Sequence, residues 1–418
     1  MKKINIKNKP TILKNSDFQT ILVQVMFFYK KEHKDLAHIS LLPALLNSMN
    51  NKYKTESEFV LERKKLMILG TNVSRASIGD NGYFSFHMVV PDTYALGNDI
   101  LDEQFAFLKE IIYNPRIENN GFLSFEINKE IENIKRSISN CKKNMMPYHS
   151  YKIKNLIDDE GYLSDSLINN EELLDEVTPQ SLYEFYLKFI KEIQPSIYIF
   201  GNIDEDRINN LCDKYLYIKK FNNIESDYRL DYYLKPRKEV NYIEEQSTFK
   251  DSALSFVYKV KDMTEDDIIY LNVVRDLLNS LSSRLLNKKL RDENDLVYSS
   301  KVLSYDNFGA FEITALINKN NVELVKEKIQ EVIEDLKNKE LVSPLLENIK
   351  DRKRVNLLRI LDDKYALLSD FVVSDLGLDY TNEELYNKIK KVTASDIKNF
   401  IDRLILDTVY FLKEEENE

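Results

Sequence analysis

Leu45-Leu46-Asn47-Ser48, within LPALLNSM (42–49), returns as Leu277-Leu278-Asn279-Ser280 within VRDLLNSL (274–281), 232 residues later. Three further matches follow in the same order. NGYFSFHMVV (81–90) faces FGAFEITALI (308–317), with Gly82 opposite Gly309 at an interval of 227. Val177-Thr178 and Val392-Thr393, 215 apart, each open a helix-like stretch. These stretches lead into SIYIFG (196–201) and TVYFLK (408–413), 212 apart. The interval shrinks steadily, as loop-length changes in a duplicated domain produce. Four matches in one order at this interval read as one domain used twice.

Each half reads alike. QTILVQVMFFYK and DSALSFVYKVK are rich in the branched and aromatic residues that suit strands. SLLPALLNSM and DIIYLNVVRDLLNSL place apolar residues three and four apart, the period of a helix. Strands are expected next around Gly82 and Gly309. Long charged amphipathic helices follow, FEINKEIENIKRSI (125–138) in one half and ELVKEKIQEVIEDL in the other. A last helix and strand close each unit. No regular β-α-β alternation runs through the chain, so the expected class is α+β: two homologous domains, each an antiparallel-rich sheet flanked by helices. The expected boundaries are 1–221 and 246–418, joined by the polar stretch 222–245, NNIESDYRLDYYLKPRKEVNYIEE.

Bulk properties narrow the function. Of 418 residues, 43% are hydrophobic and 31% charged, enough apolar material for ordinary cores. A net charge of −10 argues against a nucleic-acid partner, which favours a basic face. The two cysteines, Cys141 and Cys212, supply neither a disulfide framework nor a thiolate metal site. The basic start MKKINIKNKP is followed by no apolar run of signal-peptide form. TILVQVMFFY (20–29) is too short to span a bilayer. The expectation is a cytoplasmic protein without a membrane partner.

Most catalytic signatures are missing. Nine glycines form no P-loop and no Gly-x-Gly-x-x-Gly turn, and no Gly-x-Ser-x-Gly elbow is present. DDEGYLSD (158–165) lacks the carboxylate order of a calcium loop. The histidines are His33, His38, His87 and His149, and no two stand three or four apart. No helix face therefore presents a histidine pair to a metal, and all four are read as core or surface residues.

With its duplicated halves, the chain resembles the pitrilysin/insulin-degrading-enzyme family of inverted zincins, in particular its short two-domain bacterial and processing-peptidase members. The resemblance covers nearly the whole chain and implies the processing-peptidase/LuxS-like metallohydrolase fold. In that family a first helix carries His-x-x-Glu-His, a later helix adds a Glu ligand, and the second half carries an Arg and a Tyr seven residues apart that hold substrate backbone. SSRLLNKKLRDENDLVYSS (282–300) fits the last element: Ser283-Arg284-Leu285 matches its start, and Leu290-Arg291 and Leu296-Val297-Tyr298 its end. Asp295 departs from the glycine the family often has there. Taken alone, Arg291 reads as a surface residue on a charged helix and Tyr298 as a tyrosine entering a strand; the repeat context favours the functional reading.

The first helix departs from the family decisively. LAHISLLPALLNSM (36–49) places His38 near the first ligand position. Leu41 and Leu42, or Pro43 and Ala44 in a shifted alignment, then occupy the Glu-His positions. With Glu130 as the upstream Glu of the later helix, its ligand position falls on Ser137. The resemblance thus implies a chain with no catalytic residue, metal or cofactor of its own. It would be the substrate-binding subunit of a heterodimeric zinc metallopeptidase, with Arg291 and Tyr298 facing a catalytic homologue that supplies His-x-x-Glu-His and zinc. Removal of leader segments from peptides is an expectation by analogy alone. LGTNVSRAS (69–77) corresponds to the family's peptide-binding edge strand, read here as vestigial or as an aid to capture. The competing reading is a non-enzymatic peptide-binding or scaffold protein with a degenerate peptidase fold.

Overall fold

A computed structural model describes residues 4–7, 9–92, 97–163, 166–217, 228–279 and 285–414. The first half contributes strands β1 (Thr11–Lys14), β2 (Thr20–Lys30), β3 (Gly70–Ile78) and β4 (Asn81–Pro91), the short pair β5 (Ile117–Glu118) and β6 (Gly121–Phe122), and β7 (Ser196–Gly201). Its helices are α1 (Leu36–Leu46), α2 (Glu56–Lys65), α3 (Leu101–Tyr113), α4 (Ser124–Lys143), α5 (Met145–Ile157), α6 (Pro179–Glu192) and α7 (Glu205–Tyr215). The second half contributes β8 (Asn241–Gln246), β9 (Ser252–Val260), β10 (Val297–Tyr305), β11 (Ala310–Ile317) and β12 (Leu404–Lys413). Its helices are α8 (Asp267–Asn279), α9 (Leu285–Asn287), α10 (Val322–Asp335), α11 (Lys339–Leu361), α12 (Lys364–Asp375), α13 (Asn382–Ile389) and α14 (Ala394–Ile401).

The two large sheets have one topology. The first runs β1-β7-β2-β4-β3 and the second β8-β12-β9-β11-β10. In each, only the outermost pair at one end is parallel, β1 with β7 and β8 with β12. The registers agree with the sequence repeat. Gln24 pairs with Tyr198 as Ser255 pairs with Tyr410, so SIYIFG and TVYFLK occupy one position in two copies. Thr178 and Thr393 both close capping boxes, on α6 and α14, where a side-chain oxygen satisfies an otherwise orphaned amide at the helix start. The end of the stretch read as a connection, 241–245, belongs to the edge strand β8.

One helix pairing needs correction. FEINKEIENIKRSI lies in α4 and ELVKEKIQEVIEDL in α10, but α3 intervenes between β4 and α4. By order along the chain α10 matches α3, and α4 matches α11. Charged amphipathic helices share one period, so periodicity does not number them.

Each β2-type strand is buried on both sides, which explains its unbroken apolar run. Val23, Val25 and Phe27 face the core that holds α1, α3 and α6. Leu22, Met26 and Phe28 face the other way, toward Leu368, Val372 and Leu376 of the second half. The second sheet mirrors this: Leu254 and Phe256 face α8, α10 and α11, while Ala253 and Val257 meet Ile153 and Ile157 of α5. Each half thus sends a helix across to cover the back of the other's sheet.

Candidate functional site

Helix α1 carries the positions at which the family would bind its metal. Leu41 and Leu42 are fully buried in the core that also holds Val25, Phe27 and Phe86, so that helix fills its own surroundings with hydrocarbon. Pro43 sits inside the helix, and Asn47 ends it by donating to the Pro43 carbonyl at 3.2 Å. His38 is half-buried and turned toward α6, its Nε2 3.0 Å from Ser181 Oγ and its ring against Phe185. Burial lowers its affinity for a proton, partly countered by Asp35. On α4, Ser137 Oγ donates to the Asn133 carbonyl at 3.0 Å, and Glu130 accepts from Asn133 Nδ2. Among the described residues no group of three or more His, Cys, Asp or Glu could hold a metal ion. The residues present do not fit a zinc site, which needs three or four converging ligands.

Arg291 and Tyr298 are placed by their neighbours. From Leu285 the chain forms α9 and passes into a π-helical turn, Lys288–Asp292. Such wide turns are rare and recur at functional sites. Leu290 is fully buried in the second core, which leaves the adjoining Arg291 exposed. The turn closes with Asp295 N–H bonded to the Arg291 carbonyl at 2.9 Å and Leu296 N–H to the Leu290 carbonyl at 2.8 Å. Asp295 has φ +52°, the left-handed conformation that glycine adopts freely and aspartate tolerates, so the departure from glycine leaves the turn intact. Ser283 and Arg284, which carry the start of the matching stretch, lie outside the described residues.

Tyr298 stands on a β-bulge that the sequence did not reveal. Val297 pairs with Ile317 and Ser299 with Leu316, so Tyr298 has no partner of its own across the ladder. A bulge re-aims the extra residue. Val297 is buried while Tyr298 is 62% exposed at the start of β10. Beside it Leu296, Val297, Tyr298 and Asn318, Asn320, Asn321 line a small polar cavity of about 300 Å³. The segment read as an edge strand, 69–77, overlaps β3 (Gly70–Ile78), the outermost strand of the first sheet.

A second group of polar residues, unseen in the sequence, fastens the halves together. Tyr198 OH donates to Asp375 Oδ2 at 3.1 Å, and Asp375 also binds Lys7. Tyr410 OH donates to Glu245 at 3.0 Å, where Tyr148 and Lys152 of α5 also converge. Arg237 binds the fully buried Asp407, Thr408 Oγ1 at 3.0 Å, and the Leu156 carbonyl at the end of α5 at 3.0 Å. Asp407 sits on the bulge between Leu406 and Thr408 and also pairs with Lys259 at 3.1 Å. Lys259, a lone charge in the apolar strand SALSFVYKV, was a readable sign of such buried polarity.

The fold is one shared with M16-like peptidases, and the α1 positions at which that family would hold zinc are apolar. Residues 176–352 match the family described as Peptidase M16 inactive domain. A probable inactive metalloprotease, YmfF, from Bacillus subtilis (strain 168) is 24% identical over 417 residues, covering 96% of this chain and 95% of that protein. A conserved protein from Enterococcus faecalis V583 superposes with a TM-score of 0.88 at 20% identity, over 99% of this chain and 98% of that one. A protease from Helicobacter pylori superposes with a TM-score of 0.74 at 15% identity, over 99% of each chain. The resemblance to the pitrilysin-type (M16) family is thus supported over residues 176–352 by a family model and along 96% of the chain by a probable inactive metalloprotease. Among the described residues no helix is long and apolar enough to cross a membrane.

Proposed function

We propose that this chain is the substrate-binding subunit of a heterodimeric zinc metallopeptidase, working in the cytoplasm on peptides held in a closed chamber, with leader removal or peptide maturation as its task. The zinc and the His-x-x-Glu-His motif belong to a partner chain. The observation that carries this reading is an asymmetry: the metal-ligand positions of α1 are packed with leucine, while Arg291 and Tyr298 stand exposed on a π-turn and a bulge. Arg291 donates charge-assisted hydrogen bonds to a substrate carbonyl. Tyr298 donates to the oxygen on which charge develops as the peptide bond is attacked in the partner's site. The open edge of β3 aids capture of the extended peptide. The free thiols Cys141 and Cys212 suit a reducing compartment.

The test is to mix the chain with a His-x-x-Glu-His homologue from the same genome and assay peptide cleavage. Arg291→Ala and Tyr298→Phe are each expected to lower turnover by about 100-fold. Full activity of both variants refutes the role of the pair. Chelator-sensitive cleavage by the purified chain alone overturns the whole reading.

A further inference from the structure

Several of the exposed large apolar side chains gather on one helical hairpin. Val355, Leu358 and Leu361 on α11 are 51, 62 and 61% exposed, and Tyr365 on the first turn of α12 is 56% exposed. From Asp351 to Leu367 no residue is buried. The first half of α11 behaves differently, packing Val342, Leu346 and Ile349 into the second core. At 3.6 residues per turn, Val355 and Leu358 fall on the side away from those three, with Leu361 about a quarter turn round from them. A contiguous apolar stripe in water marks an interaction surface. Its far end continues into a cavity of about 300 Å³, where Tyr365 and Leu368 face Gly70, Asn72 and Val89 of the first sheet. The surface therefore offers a ridge with a socket beside it.

Charge narrows the occupant. Residues 350–359 hold five basic side chains and one acidic one in a chain whose net charge is −10. Lys350 and Lys353 are taken up by Glu347 and Asp276, which leaves Arg352, Arg354 and Arg359 as the exposed cations. Two copies of the stripe facing each other across a two-fold axis would press these basic segments together, which costs binding energy. Docking the stripe onto a different face of a second copy would give a ring or a filament and would leave the basic side chains without an acidic counterpart in the contact. The exposed arginines favour a different protein chain whose contact face is acidic.

We infer that the α11–α12 hairpin is the docking surface for a second protein that presents an apolar cleft rimmed by carboxylates. One apolar side chain of that protein fills the socket beside Tyr365. Naming that protein as the zinc-bearing homologue rests on the function proposed above.

The experiment measures association of the purified chain with the His-x-x-Glu-His homologue by biolayer interferometry at low and moderate salt. One variant combines Leu358→Asp with Leu361→Asp, and a second combines Arg352→Gln, Arg354→Gln and Arg359→Gln. These positions are exposed, and unchanged thermal unfolding verifies that each variant folds. The leucine variant is expected to bind about tenfold more weakly or worse. The arginine variant is expected to lose most of the salt dependence shown by the wild type. Wild-type affinity in both variants overturns the docking surface and leaves the proposed subunit role standing. Hairpin-dependent association combined with full cleavage by Arg291→Ala and Tyr298→Phe supports the surface and refutes that role. No association of the wild-type chains, or a homodimer of this chain that the leucine variant dissolves, overturns the inference.

Discussion

His149 Nε2, on α5 of the first half, lies 3.2 Å from Ser255 Oγ on β9 of the second, with Glu312 Oε1 3.0 Å beyond the same hydroxyl. All three residues are buried, so a contact between duplicated halves is made through a polar cluster rather than through hydrocarbon. Burial pushes His149 down to about 4, with Glu312 pulling weakly the other way. The imidazole is neutral at pH 7.

That shift makes stability depend on pH. The folded pKa lies below the ordinary histidine value, so the unfolded chain binds the proton more readily. The contribution of neutral His149 is present above about pH 6.5 and is lost as pH falls toward 4. Across that window the loss is up to roughly 3 kcal/mol. His149→Gln is expected to flatten this part of the stability profile. Urea unfolding at several pH values, wild type against variant, measures it; parallel profiles would refute the assignment.

Arg237 ties three segments together through Asp407, Thr408 and the Leu156 carbonyl. Arg237→Ala leaves the buried Asp407 carboxylate with Lys259 as its remaining charged partner. Removing one member of a buried ion pair costs about 3 kcal/mol or more. Chemical denaturation is expected to show that loss in a single transition, because α5 and α12 cross between the halves. Two separate transitions would mean that the halves unfold independently.

The turn before Tyr298 depends on Asp295 at φ +52°. Asp295→Gly is expected to change stability little. Asp295→Val forces a branched residue into the left-handed region and is expected to cost about 1–2 kcal/mol. In the assembled peptidase it should also lower cleavage, by moving the bulge that aims Tyr298. Thermal melts and turnover, measured on both variants, check the two halves of this prediction.

Arg291 and Tyr298 themselves are exposed, so their removal should not disturb folding. Arg291→Ala and Tyr298→Phe are expected to unfold within about 0.5 kcal/mol of the wild type. A cleavage defect in the complex would then report on substrate handling alone. A large loss of stability in either variant would recast the pair as structural.

Much of this was legible in the residues. LLNS and LLNS, Gly82 and Gly309, SIYIFG and TVYFLK give the duplication, because a repeated fold needs its core and turn residues at repeated places. The missing zinc ligands are equally plain, since Leu41 and Leu42 cannot bind a metal in any fold. Charged amphipathic helices were harder to match, because their period says only that one face is buried and not which sheet buries it.

The sequence by itself determined two copies of one α+β unit and a first helix lacking the Glu-His of the zinc motif, because periodicity, strand composition and side-chain identity are local properties of the chain. Tertiary structure alone decided that α5 and α12 exchange sheets, that Tyr298 and Asp407 sit on bulges, and that Asp295 adopts a left-handed turn. It also gathered His149, Ser255 and Glu312, from three separate stretches of chain, into one buried cluster. Those outcomes depend on register and on which surfaces meet, and both are fixed only when distant parts of the chain pack against each other.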